Sequence, residues 1–143
     1  MTDQALILPL FEQQQEHLTM LLSLLKAELD AISSRNVEAL EQGGAAKLAC
    51  LEQIQQLDQD IAALPMLSAV KNEPWFVQKV QDIDHILQQC KEQNEINALT
   101  LQQSQLIVER FKHELLQNRG KSGLTYTAKG KPAIDHKGGG IKA

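Results

Sequence analysis

Aromatic residues make up only 3% of the 143-residue chain, which has one Trp, one Tyr and three Phe. Sheets draw on Val, Ile, Tyr and Phe, and this chain instead carries abundant Leu, Gln, Glu and Ala, so a β-rich core is excluded in favour of long helices. Proline is scarce and confined to Pro9, Pro65, Pro74 and Pro132, while six of the eight glycines lie from Gly120 onward. Long stretches between these breakers are therefore free to be helical. There are two cysteines, Cys50 and Cys90, each inside a helical pattern. They form no disulfide framework and fit a reducing cytoplasm, where a free thiol behaves as a small apolar residue. No apolar run is long enough for a membrane span, because Leu6 to Leu10 is short and interrupted by Pro9, and no basic leader precedes it. A cytoplasmic protein of one domain is expected.

Residues bearing chemistry are as sparse as the breakers. His17, His85, His113 and His136 lie far apart, and none belongs to a His-Glu-x-x-His or Cys-x-x-Cys arrangement. A carboxylate-bridged di-iron bundle needs two Glu-x-x-His motifs; the nearest approach, Asp82-Ile83-Asp84-His85, has no second copy. No phosphate-cradling Gly loop or nucleophile turn occurs. The expectation is a protein without catalytic residues, metal or cofactor.

Charge is unevenly placed. From Gly120 onward five lysines face the single Asp135, a net +4, which leaves −8 on the first 119 residues of a chain whose total is −4. An acidic body argues against a nucleic-acid or membrane-surface footprint.

What is present is periodic. Phe76, Val80, Ile83, Leu87, Cys90, Asn94, Asn97, Leu101, Ser104, Val108, Phe111 and Leu115 step alternately by four and three, an unbroken heptad register that predicts one helix from Pro74 to about Asn118. Pro74 suits a first helical turn, Trp75 a staple at the helix entrance, and Gly120 a C-cap. Upstream, Leu8, Phe11, Gln15, Leu18, Leu22, Leu25, Leu29 and Ile32 predict a helix ending near Ser33 that either begins near Pro9 or kinks there. A second row, Leu10, Leu21 and Leu24, widens the stripe toward two partners. Ser33, Ser34 and Asn36 supply turn and cap chemistry. Leu40, Leu48, Leu51, Ile54, Leu57, Ile61 and Leu64 then predict a helix over 36–64, with Gly43 and Gly44 inviting either a bend or a close approach. A connection from Pro65 to Pro74 carries one helical turn near Leu67. The fold class expected is all-α, an antiparallel bundle of three long, coiled-coil-like helices over 1–118, with a flexible basic Gly/Lys-rich tail over 119–143.

The last helix breaks its own seam. Asn94, Asn97 and Ser104 take seam positions while Ile96, Leu99, Leu106 and Ile107 fall off it, so apolar surface spreads around the helix from about residue 96. A broad three-helix core could absorb that surface, or a partner's amphipathic helix could be received there, with Leu99, Leu106, Ile107 and Leu116 as anchors.

Leu124-Thr125-Tyr126-Thr127-Ala128-Lys129-Gly130, followed by Ile134-Asp135-His136-Lys137-Gly138-Gly139, resembles the C-terminal signature of FlgN-type flagellar export chaperones, with Thr127 where that family has Gly. Asn94 to Leu116 is similar to that family's last helix. The resemblance implies a cytoplasmic type III export chaperone that binds the C-terminal helical regions of hook–filament junction (hook-associated) proteins and delivers them to the flagellar export gate. It further implies docking of Tyr126, with Lys129 and Lys131, on the cytoplasmic domain of the export-gate protein. The competing reading is a generic helical adaptor or coiled-coil oligomer.

Overall fold

A computed structural model describes the backbone of residues 2–121 and the side chains of residues 2–117. Four helices follow in order, α1 (Asp3–Ser34), α2 (Val37–Ala62), α3 (Leu67–Val70) and α4 (Pro74–Lys121), and no strand occurs among the described residues. The fold is all-α. The chain divides into two compact units, residues 1–101 and 102–143, the boundary falling within the α4 sequence.

The start of α1 settles the question that Pro9 posed. Thr2 caps the helix in an extended conformation, its hydroxyl accepting from the Ala5 N–H at 3.2 Å, and Pro9 lies inside. Proline in a helix interior removes a hydrogen bond and costs on the order of 3 kcal/mol. The turn before it is retained because it carries Ile7, which is 0% exposed and packs with Phe11 and Val70. Burial there and the cap together offset the lost bond.

α1 ends at a tight reversal. Arg35 adopts φ 55°, ψ 40°, the only positive φ at a non-glycine among the described residues. Its N–H returns to Ile32 and the Asn36 N–H to Ala31, closing the last orphan carbonyls in a Schellman-type turn. Asn36 then caps α2 by accepting from the Ala39 N–H at 3.0 Å, as the sequence suggested. Gly43 and Gly44 lie within α2, and a β-carbon built on either would meet nothing within 4 Å. They accommodate no close neighbour.

The order of contacts gives the directions of the helices. Gln14 of α1 bonds to Ile54 and Asp58 of α2, whereas His17 and Glu28 meet Cys50 and Lys47, so α1 and α2 run oppositely. On α4 the partners ascend together: Phe11 with Phe76, Gln15 with Lys79, Leu18 with Cys90, Leu25 with Asn97. Two apolar clusters lie along these contacts. One gathers Ile7, Phe11 and Val70 with Ile61, Leu64, Trp75, Phe76 and Val80; the other joins Leu21, Leu25, Cys50 and Cys90 with Ile54 and Ile86. Trp75 is the expected staple: its ring meets Phe76 edge-on at 5.7 Å, and its indole N–H donates to Glu73 at 2.7 Å.

Three seams differ from their expected course. On α1 the buried row is Ile7, Phe11, Gln14, Leu18, Leu21, Leu25 and Ile32 rather than one through Leu8 and Gln15. Both courses fit four-three spacing, and the choice falls where Gln14 finds partners for its amide. On α2 the buried positions are Cys50 and Leu57, while Leu48 and Leu51 are exposed. One turn before Cys50 the half-buried Lys47 reaches Glu28 with its ammonium. On α4 the burial fades. Cys90 and Asn97 are buried, Asn94 is exposed, and Leu101, Phe111 and Leu115, all expected in the core, are exposed. α4 also continues three residues past the expected end at Asn118, taking in Gly120, a residue that costs a helix only about 1 kcal/mol relative to Ala.

Candidate functional site

The most unusual surface belongs to α4. In the first unit Ile96, Leu99 and Leu101 are exposed; in the second, Leu106, Ile107, Phe111 and Leu115 are exposed, with Phe111 60% accessible. Monomeric proteins rarely leave so many large apolar side chains together in water, and such surface marks interaction sites.

Helical spacing sorts these residues into rows. At roughly 100° per residue, Leu99 and Leu106, seven apart, share one row. Ile107 lies about 100° to one side of it and Leu116 about 80° to the other, so on an ideal helix the four anchors expected from the sequence spread over about half of the circumference instead of forming one narrow stripe. Leu99, Leu106 and Ile107 are 58%, 57% and 56% exposed, whereas Leu116 is half-buried. A second row was missed as surface because its pattern was good. Leu101, Ser104, Val108, Phe111 and Leu115 continue the heptad seam, and periodicity alone marks a face that wants a partner without saying whether the chain itself supplies one. The available signal was the run of polar residues, Asn94, Asn97 and Ser104, that interrupts the apolar row on the seam itself.

A polar layer sits where α4 ceases to be buried. Asn97, 3% exposed, donates one amide hydrogen to the Leu25 carbonyl and the other to Glu28 Oε1, both at 2.8 Å, and accepts from Gln93 Nε2 at 3.0 Å. Lys47 Nζ holds the other oxygen of Glu28 at 2.8 Å. Burial by itself would raise the Glu28 carboxyl, but the hydrogen bonds from Lys47 and Asn97 and the Lys47 charge outweigh it and hold the group below its ordinary value. A second layer ties α1 to α2. Gln14 Nε2 donates to the Ile54 carbonyl at 3.0 Å and to Asp58 at 2.6 Å, and Gln14 Oε1 meets the His17 ring at 3.1 Å. No buried polar side-chain atom lacks a partner among the described residues.

Little else invites chemistry. No group of three or more metal-ligating side chains assembles among the described residues. Cys50 and Cys90 donate to the carbonyls of His17 and Leu18, and burial raises both thiols, Cys90 also through the neighbouring Cys50 charge. A shallow depression lined by Glu12, Gln15, Glu16, Thr19, Met20 and Ser23 belongs to one face of α1 alone, so nothing converges on it. None of the described helices is long and apolar enough to cross a membrane. Tyr126, Lys129 and Lys131, expected to dock on a gate protein, lie outside the described residues.

The family model described as FlgN protein matches residues 1–134. No curated protein and no solved structure matches the chain.

Proposed function

The chain belongs to the FlgN family of flagellar export chaperones, and from that premise we propose that it is a cytoplasmic carrier of hook–filament junction proteins. The client segment is their C-terminal helical region, which the second half of α4 covers until export. The observation that carries this reading is the exposed apolar surface of that half. A client segment destined for a coiled coil presents an apolar stripe beforehand, and a helix with its own exposed heptad row is the natural cover for it. Leu99, Leu106, Ile107 and Leu116 are anchors in this reading, joined by Leu101, Phe111 and Leu115. Two rows on one helix suit a client that contributes two helices or wraps around one.

Residues 1–118 act as the carrier, three long helices packed antiparallel, and 119–143 as a separate basic tail. Tyr126, with Lys129 and Lys131 beside it, docks on the cytoplasmic domain of the export-gate protein. An aromatic anchor with steering charges and few apolar neighbours suits a transient contact.

Titration calorimetry with a junction protein's C-terminal helical segment tests the client site. Leu106→Ala and Ile107→Ala should each weaken binding by more than about 1 kcal/mol, as truncated interface anchors do, with the melting temperature preserved. Unchanged affinity in both would move the site elsewhere, and no binding by the parent protein would favour a generic helical adaptor. Tyr126→Ala should leave client affinity and melting temperature intact while gate binding falls; a loss of stability with gate binding intact would return the ring to the helical body.

A further inference from the structure

Gln14 and Asn97 are the buried polar side chains among the described residues, and they do different jobs. Outside its own helix Gln14 reaches only α2, so it fixes α1 against α2 and says nothing about α4. Asn97 reaches only α1 outside its own helix, through the Leu25 carbonyl and Glu28. The need for such a device on α4 is plain from its sequence. A heptad repeat is self-similar, so an apolar seam that fits one register fits nearly as well when slipped by seven residues, and a single buried amide is the best-attested way to forbid the slip.

The contacts show what each slip would do. Sliding α4 by one heptad in one sense would carry Asn97 to the place of Cys90, among Leu21, Leu25 and Cys50, an apolar layer without a carboxylate. Sliding it in the other would carry the amide away from the Leu25 carbonyl and Glu28. In the first case Ser104 and in the second Cys90 would stand opposite Glu28, and both are too short to replace the amide. Each slip thus leaves the Asn97 amide short of partners in a buried layer, which is the costly condition for a polar group.

We propose that Asn97 is a positioning residue: its bonds to Leu25 and Glu28 fix the register of α4 on α1, and thereby leave Leu101, the next seam position, exposed for a client helix. This rests on the client-carrier reading above. In the native register Leu101, the seam position after Asn97, is 43% exposed, whereas a slip of seven residues, roughly 10 Å of helix, changes which seam residue follows the polar layer. Glu28 is the discriminating partner, and Lys47 holds its second oxygen so that the first faces Asn97.

The single tryptophan supplies a direct test. Trp75 lies in the first turn of α4 and its indole N–H donates to Glu73 beside the Phe76 ring, so each register of α4 gives its own indole signal in a proton–nitrogen correlation spectrum of the full chain. The parent protein should show one indole signal and Asn97→Leu two, with a melting temperature no lower than the parent's, because leucine fits both registers. Glu28→Ala, which leaves the α4 sequence intact, should also give two and serves if Asn97→Leu does not fold. Client affinity of Asn97→Leu should fall about two- to tenfold as the competent fraction drops from a half to a tenth. One unshifted indole signal in both variants would overturn the proposal, because the Ile7–Phe11–Val70 cluster would then suffice to set the register. Two signals with client affinity unchanged would overturn it as well. Since the indole measurement needs no client, failure of the parent to bind a junction-protein segment would count against the carrier reading alone.

Discussion

Two leucines on one predicted core list, Leu25 and Leu101, turn out to lie on opposite sides of the solvent boundary, and truncating each tests that division. Leu25 is 3% exposed within the Leu21, Cys50 and Cys90 cluster; Leu101 is 43% exposed. Leu25→Ala removes buried atoms and leaves a cavity that neighbouring helices only partly fill, for a cost of about 2–5 kcal/mol. Leu101→Ala opens onto solvent, so no cavity term applies. Burying a leucine fully is worth about 1.5–3 kcal/mol, and the half-burial of Leu101 reduces this to about 1 kcal/mol. At about 4 °C per kcal/mol for a chain of this size, the melting temperature should drop by about 12 °C for Leu25→Ala and about 4 °C for Leu101→Ala in a circular-dichroism melt. Client titration should rank them the other way: Leu101→Ala weakens binding about fivefold or more as a lost anchor, while folded Leu25→Ala binds as the parent does. Equal melting losses would return Leu101 to the core and refute the argument that α4 has finished with intramolecular partners there.

Two further expectations concern the body. Gly44→Ala should raise stability by about 1 kcal/mol, read as a higher melting temperature, because an exposed helical glycine gives up backbone entropy and the added methyl meets nothing within 4 Å; a destabilised variant would reveal a neighbour that the geometry lacks. Glu28 has its folded carboxyl held below the ordinary 4.5, so its contribution is fully present above that value and is lost as pH falls through the lower folded one. Glu28→Gln should therefore cost most near neutrality and least in acid, and parallel melting curves for the two proteins from pH 7 to pH 3 would show that the carboxylate is not stabilised by its partners.

Helix content was legible because its signals are local: Asn36 at a cap, Pro74 in a first turn, and unbroken four-three spacing on either side. The course of each buried row was less legible. On α1, Gln14 and Gln15 are chemically alike and adjacent, and only a carbonyl and a carboxylate contributed by α2 decide between them. On α2, Lys47 displaces Leu48 and Leu51 from the buried row because a carboxylate on α1 awaits its ammonium. Hydrophobicity ranks single residues, whereas these choices are made by pairs forty or more positions apart for Gln14 and nineteen apart for Lys47. Pro9 followed the same logic, its local penalty overridden by the nonlocal burial of Ile7.

The candidate site was half legible for a related reason. Leu99, Leu106 and Ile107 were picked out by falling off the seam, and they are exposed; Leu101, Phe111 and Leu115 were assigned inward by falling on it, and they are exposed too. A heptad row records only that some helix is meant to cover it. Whether that helix belongs to the same chain or to another is not written in the repeat, and within the first unit burial on the seam stops after Asn97, whose amide is held by Leu25 and Glu28. The same repeat can therefore serve folding up to the polar layer and recognition beyond it, with no change in the pattern of α4 to announce the transition. Under the proposed carrier reading this has one advantage: the row offered to a client repeats the four-three spacing of the row that packs against α1, so the helix it would accept from outside is of the kind it accepts from within.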